Sequence, residues 1–473
     1  SLDAQDESGE VLPNLFARPA LMEAQSRIKQ LSERNLRAQL RLLRQALEAL
    51  RPPDASISPT CPTSAALATT MPAFDAVAAQ SAAQTLALQI GEHLLAQAMG
   101  QRDFACYFQL EARNHPALRP YPLRPELSDG LAGLALFFGE LSCSPIPPKQ
   151  QARFGAETSR IVATVQRSYA DFGLRPASCG AFAGLSGWIF TLARLSLCMR
   201  QPQWLQLACN WLEKLPPLIV QDRHFDVVQG CAGDLLVLLH LQQLAPDSGA
   251  LAIAASCAAH LRQHAICDSA GARWIDDQSG NGFAHAGIVL ALAHYAGQSG
   301  DDGYDDVISA ALVWLCQQCH DKPVDMVGPD CGWQHGMAGR GLALLNLPPR
   351  WHTAQTRAAL DNCLATTLAQ GGTAKHDVAE GNMGALEFLQ QAATDANGSA
   401  SPAAAGWQNL AAQLLAQTAT QIAASIGQPG NGPDLLGYLH GWSGIGHGLL
   451  RLADPQHVAA LLTLALHQSS ASV

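Results

Sequence analysis

Cys331-Gly332-Trp333-Gln334-His335-Gly336-Met337-Ala338-Gly339-Arg340-Gly341-Leu342-Ala343-Leu344 sets the reading of the whole chain. A Gly-x-x-Gly step runs straight into an apolar helical stretch, and the chain writes this step seven times. The copies open at Gly130-Leu-Ala-Gly133, Gly184-Leu-Ser-Gly187, Gly230-Cys-Ala-Gly233, a shortened Gly282-Phe-Ala-His285-Ala-Gly287, Gly336-Met-Ala-Gly339, Gly381-Asn-Met-Gly384 and Gly441-Trp-Ser-Gly444. A spacing of about 45 to 60 residues marks a repeat architecture. Each unit reads as a polar loop, the glycine step, an inner helix such as Leu134–Leu141, a turn, and a longer outer helix such as Gln151–Phe172. Seven such hairpins predict an all-α fold, a two-layer α/α toroid with its Gly-x-x-Gly loops at one mouth. Glycine without a Cβ lets the loop turn sharply and lets neighbouring helices approach closely. The helix N-termini then converge, and their free N–H groups and dipoles favour negative charge.

Composition narrows the function classes. Of 473 residues, 48% are hydrophobic and 14% charged, which fits a well-buried helical protein. A net charge of −10 leaves no basic stripe for phosphates, so nucleic-acid binding is excluded. Apolar runs such as Gly287 to Tyr295 are too short to span a bilayer. Thirteen cysteines lack disulfide-scaffold spacing and read as reduced thiols of a cytoplasmic protein. Ser1 in place of an initiator Met, with no secretory signal after it, is the expectation for a piece of a longer chain.

Before the repeats, Ile28, Leu31, Leu36, Leu40, Leu43 and Leu47 recur at helical steps, predicting one or two amphipathic helices over Ala20–Leu50. Arg51 to about Pro72 is rich in Pro, Ser and Thr and reads as a linker. The chain therefore divides into an N-terminal helical segment with its linker, 1–72, and a toroid domain, 73–473.

The ordered motifs Ser128-Asp129-Gly130-Leu131-Ala132-Gly133, Asp226-Val227-Val228-Gln229-Gly230, Gly282-Phe283-Ala284-His285, Trp333-Gln334-His335-Gly336 and Leu439-His440-Gly441-Trp442-Ser443-Gly444 resemble the lanthionine synthetase cyclases (the LanC-like family). The resemblance covers roughly residues 75–455. Leu12–Leu50 further resembles the junction between dehydratase and cyclase in class II lanthipeptide synthetases. The resemblance implies a part in lanthipeptide biosynthesis: a peptide cysteine thiol adds to dehydroalanine or dehydrobutyrine and closes a thioether ring. It implies as partners a ribosomally made, dehydrated, cysteine-containing precursor peptide and a dehydratase domain in the same full-length chain.

Such chemistry needs a thiolate, a stabilised enolate and an acid for the α-carbon. The family generally makes the thiolate on zinc held by two cysteines and a histidine. The positions that match those ligands are here Gln334, Ala379 and Glu380, so no zinc is expected at that site and no other cofactor is implied. Cys331 with His335 and Glu380 forms the alternative donor set near the mouth. Cys316-x-x-Cys319-His320 has metal-like spacing, but packing of small thiols on an apolar helix accounts for it. Asp226 matches the family's functional Asp. His285 matches its His, with about two residues missing before Gly287. The resemblance makes His285 the acid for the enolate, or the base for the thiol in the absence of zinc, with Asp226 orienting it. His335, beside the lost cysteine position, is the third candidate catalytic residue.

Other classes were weighed. Asp301-Asp302-Gly303-Tyr304-Asp305 fits a diphosphate-binding Asp-Asp-x-x-Asp, but it follows Gly300 and reads as a loop that caps the helix from Val307. A glycosidase on such a toroid needs paired carboxylates. Asp276, Asp277 and Glu380 offer candidates, with no defined partner. With the ligands gone, a catalytically inactive pseudo-cyclase that holds the precursor peptide as a scaffold for the dehydratase is the main alternative to a zinc-independent cyclase.

Overall fold

A computed structural model describes residues 4–5, 11–12, 19–29, single positions between 32 and 47, 76–99, 104–111, 119–171, 173–274, 283–320, 332–370, 372–373, 375–395, 402–427 and 435–464. The proposed linker 51–72, Cys331, and Asp276 with Asp277 lie outside the described residues. Contacts divide the chain into one unit of residues 1–52 with 110–120 and a second of 53–109 with 121–473. The smaller unit carries helix α1 (Ala20–Lys29) and two short antiparallel strands, Ala4–Gln5 and Val11–Leu12. The apolar stripe read from the sequence is present, but Leu21, Met22, Ile28, Leu36, Leu40, Leu43 and Leu47 are exposed.

The larger unit begins with α2 (Ala76–Ala96). The first repeat follows as α3 (Leu131–Cys143) and α4 (Pro148–Ala170), and the second as α5 (Leu185–Cys198), α6 (Pro202–Asn210) and α7 (Leu215–Gln221). Then come α8 (Cys231–Leu244) with α9 (Ala250–Gln263), and α10 (Phe283–Ser299) with α11 (Asp305–His320). The last are α12 (Met337–Leu345) with α13 (Ala354–Gln370), α14 (Asn382–Asp395) with α15 (Pro402–Gly427), and α16 (Trp442–Ala453).

The inner helices touch in a closed circuit, α3 to α5, α8, α10, α12, α14, α16 and back to α3. Helices apolar all round are buried all round; in α3 each residue from Leu131 to Leu141 is buried. Among the described residues after the seventh inner helix, α16, there is no further α-helix. The outer partner of α16 is α2, which precedes the first repeat and packs along it. The ring is thus sealed by joining the two ends of the larger unit.

Glycine drives closure through space rather than through unusual dihedrals. Gly130, Gly184, Gly230, Gly336 and Gly441 are helix caps at negative φ, −127° at Gly130 and −133° at Gly441, which other residues also adopt. The second glycine lies inside the first helical turn and is not a loop residue as the motif alone suggests. A Cβ on Gly133 would stand 2.7 Å from Tyr438 Cβ of the previous repeat in the circuit. The pattern continues around the ring: Gly187 would meet Leu127 Cβ at 3.1 Å, Gly233 Ala181 Cβ at 2.8 Å, Gly339 Phe283 Cβ at 2.9 Å, Gly384 Trp333 Cβ at 2.7 Å and Gly444 Val378 Cγ2 at 2.8 Å, and Gly287 would meet Val227. In most repeats the touching residue lies six positions before its own second glycine. In the shortened fourth repeat Phe283, four positions before Gly287, takes that place.

Backbone hydrogen bonds staple the same loops together. Ser128 N donates to Phe182 O (2.8 Å), Ala181 N to Val227 O (3.1 Å), Phe283 N to Trp333 O (3.0 Å), Gln334 N to Ala379 O (2.8 Å), Val378 N to Leu439 O (3.0 Å) and Leu439 N to Ser128 O (2.7 Å). At the opposite, C-terminal ends of the inner helices, buried ion pairs fill the axis: Arg194 to Glu140 at 2.7 Å and Arg451 to Glu387 at 2.6 Å. The segment after α16 closes that end, with Val458, Ala459, Leu461, Leu462 and Leu464 buried and Val458 O accepting from Arg451 at 2.6 Å.

Gly384→Ala is expected to lower unfolding stability by at least about 2 kcal/mol, because its Cβ meets backbone as well as side chain. Gly297→Ala, at a site with nothing within 4 Å, should be neutral or stabilising by up to about 1 kcal/mol. Urea midpoints of the two variants check both outcomes.

Candidate active site

Because the loops are tied in a ring, the residue before each first glycine recurs at the same level of the mouth. Among the described residues these are Asp129, Ala183, Gln229, His335, Glu380 and His440; Asn281 of the fourth repeat lies outside them. Beneath them lies a buried aromatic floor. Trp333 stacks on Phe283 at 5.1 Å and tilts against Phe182, from across the ring, at 4.9 Å.

The first and seventh loops meet in an ion pair. His440 Nδ1 lies 3.1 Å from Asp129 Oδ2 and 3.2 Å from Oδ1, while its backbone N donates to Oδ1 at 3.3 Å. Both side chains are about one-third exposed, at 36% and 35%. Asp129 holds the His440 imidazole above its ordinary pKa against the opposing effect of burial, and Asp377 and Glu380 add to that pull. Glu380 itself is paired with Lys375, which holds its carboxyl below the usual range, with smaller contributions from His440 and His335. The half-buried His335 has a buried Nδ1 with no hydrogen-bond partner among the described residues. The mouth therefore gathers His335, His440, Asp129, Asp377 and Glu380 within electrostatic reach of one another.

Positions 334, 379 and 380, which the resemblance sets against the family's zinc ligands, hold Gln, Ala and Glu. Ala379 is buried and offers only its carbonyl, which already accepts from Gln334 N. Glu380 is engaged by Lys375, and Gln334 presents a neutral amide. Among the described residues, these three positions therefore supply neither a thiol nor an imidazole, the donors that zinc prefers.

Asp226 is built into its loop. Its Oδ1 accepts from Gln229 N at 2.7 Å and Gly230 N at 3.3 Å, beside Phe225 at a left-handed φ of 61°. Asp377, at the same distance before Gly381, accepts from Glu380 N at 2.7 Å. A turn-forming carboxylate thus recurs in two repeats, and burial pushes the Asp226 pKa up while the backbone donors oppose it. His285 sits one turn into α10, packed against Trp314 at 4.9 Å and Trp274 at 6.1 Å. Burial, with Arg340 nearby, takes its pKa down to about 4, so it is a neutral imidazole at pH 7. Its Nε2 is buried with no partner among the described residues. No hydrogen bond or ion pair among the described residues joins His285 to Asp226.

The remaining motifs find structural places. Asp301 caps a single 3-10 turn by accepting from Gly303 N at 2.9 Å, and Asp302 and Asp305 pair with Arg350 on the outer surface. The expected cap of a helix from Val307 is thus corrected: Asp301 caps the 3-10 turn Asp302–Tyr304, and α11 starts at Asp305. Cys319 packs against Cys363 at 3.5 Å in the core, and the eleven described cysteines are all free thiols. His440 and Asp129 were quoted in the motifs without a role. Aligning the repeats on their first glycine and reading the column before it would have found them.

No curated protein sequence matches the chain. Among solved structures, nisin cyclase superposes with a TM-score of 0.54 at 16% identity, covering 72% of this chain and 92% of that one, which establishes a common fold. The family profile described as lanthionine synthetase C-like protein matches residues 121–463, the span of the whole ring of glycine repeats. The chain belongs to the lanthionine synthetase C-like family.

Proposed function

We propose that the loop mouth closes thioether rings in a dehydrated precursor peptide, adding cysteine thiols to dehydroalanine or dehydrobutyrine without zinc at positions 334, 379 and 380. The observation that supports this most is the Asp129–His440 pair, an imidazole whose pKa Asp129 raises, held at the mouth beside His335 and Glu380. The thiol proton passes to an imidazole nitrogen, of His335 at the mouth or of His285 if the peptide reaches the unpartnered Nε2, and leaves from there to solvent. Sulfur attack on the β-carbon places negative charge on the enolate oxygen, which the converging helix N-termini favour. His440 then donates its proton to the α-carbon and is recharged from solvent. Asp226 shapes the loop that borders this region and positions the substrate side of the third repeat.

We further propose that a dehydratase segment of the same full-length protein supplies the dehydrated peptide. The scaffold reading draws support from the loss of three ligand positions and the loop role of Asp226. Incubation of metal-depleted, folded protein with the dehydrated precursor, followed by alkylation and mass spectrometry, separates the two. Thiol loss above the protein-free control is the expected result. Binding of the peptide with no acceleration would establish the scaffold instead.

Two further outcomes are expected. His285→Ala should abolish ring closure while the circular dichroism of the fold is kept; full activity would remove His285 from the site. The pH profile tests His440. As an acid with a raised pKa it stays protonated to higher pH, so the rate should fall only as pH rises through that value. Asp129→Asn removes the charge that raises it and should move this alkaline limb down by about half a unit to one unit. An unmoved limb would assign the proton to another group.

A further inference from the structure

Beneath the second and third loops, on the inner side of Gln229, the chain buries three thiols and two carboxylates together. Cys179 comes from the second loop, Cys231 is the first residue of α8, Asp234 lies in the same first turn, and Cys257 projects from α9. Asp222 closes α7. Cys231, Cys257 and Asp234 are fully buried, and Cys179 is 1% exposed.

The geometry is that of a ligand set. Cys179 Sγ lies 3.9 Å from Cys231 Sγ, and Cys257 Sγ lies 4.0 Å from Asp234 Oδ2. Zinc–sulfur bonds of about 2.3 Å at a tetrahedral angle place two sulfurs about 3.8 Å apart. The donor atoms of Cys231, Asp234 and Cys257 all lie within 4.8 Å of one another, as do those of Cys179, Asp222 and Cys231. Asp222 is otherwise occupied: its carboxylate accepts from His224 N (2.9 Å), Phe225 N (3.2 Å) and Cys231 N (2.9 Å). Asp234 is different. Its Oδ1 takes only the Ser186 hydroxyl, and no cationic side chain pairs with it among the described residues. A carboxyl buried beside three thiols with no cationic partner among the described residues avoids an isolated charge either by keeping its proton or by sharing a bound cation with the thiols.

We propose that Cys179, Cys231, Cys257 and Asp234 form a closed, structural zinc site. Binding of Zn²⁺ displaces the protons of the three thiols and any on Asp234, which leave to solvent, so uptake releases protons and strengthens as pH rises. The excess negative charge of the bound set lies at the N-terminus of the 14-residue α8, where the positive end of the helix dipole stabilises it. Four protein ligands leave no open position for water, so the site clips the second loop, the third inner helix and its outer helix together without supplying a nucleophile. The clip holds the base of the loop that carries Asp226. It stands independently of the cyclase proposal.

The test is metal content, read without any activity assay. The full-length chain, purified under reducing conditions, is analysed for zinc, depleted, and titrated with Zn²⁺ and separately with Co²⁺. Expected results are about one ion per chain, proton release on binding, and for cobalt a thiolate charge-transfer band with intense tetrahedral visible bands. Cys257→Ser and Asp234→Asn should weaken binding by more than about a hundredfold. Cys363→Ser, in the separate thiol pair with Cys319, should leave it unchanged. Because a ligand variant can unfold, alkylation of the wild-type thiols is followed in parallel: zinc should protect Cys179, Cys231 and Cys257 and not Cys143. Failure of the wild-type chain to take up either ion, a Cys179–Cys231 disulfide in the isolated protein, or protection spread over all thiols would each overturn the proposal.

Discussion

The fold depends on one close approach, repeated around a ring: the second glycine of each repeat lies against a loop residue of the repeat before it. Tyr438 fills that place for Gly133, Leu127 for Gly187, Ala181 for Gly233, and so on to Val378 for Gly444. A single methyl at any of these points would drive backbone and side chain apart in a core packed at near-crystalline density. The inner helices are therefore pinned closest at their N-terminal ends. The hydrogen bonds between neighbouring loops, each satisfying backbone groups that a buried loop must satisfy, follow from the same approach.

This constraint gives the molecule two chemically different ends. Helix N-termini converge at the loop end, together with the residues just before the first glycines. There the charges are partly exposed, as in Asp129–His440 and Lys375–Glu380. Carbonyl ends converge at the other, where Arg194 and Arg451 are buried with Glu140 and Glu387 and also donate to backbone carbonyls of 457 and 458. Such buried pairs need their hydrogen bonds complete to offset desolvation, and the segment after α16 supplies acceptors as it closes the axis.

Much of this was legible from the residues alone. The count of repeats, the all-α class and the paired helices follow from glycine spacing and apolar periodicity, and even the shortened fourth repeat was visible before Phe283 was seen to fill the vacated contact. The cap role of Asp301 followed from the preceding glycine. Helix α2 was legible as a helix, but its pairing with α16 was not, because no local signal links segments more than three hundred residues apart. His285 and Asp226 were picked out by motif position. Their surroundings, two indoles for one and backbone N–H groups for the other, arise from neighbours distant in sequence.

Sequence by itself determined that seven glycine-opened apolar helices exist and that positions 334, 379 and 380 hold Gln, Ala and Glu. Those facts reside in residue identity and spacing, which need no coordinates. Tertiary structure alone decided which polar groups meet. Asp129 faces His440 because the ring closes the first repeat on the seventh. Cys179, Cys231 and Cys257 converge because a loop, an inner helix and an outer helix stack at one corner. Distances across a closed ring are set by packing, and no periodicity along the chain encodes them.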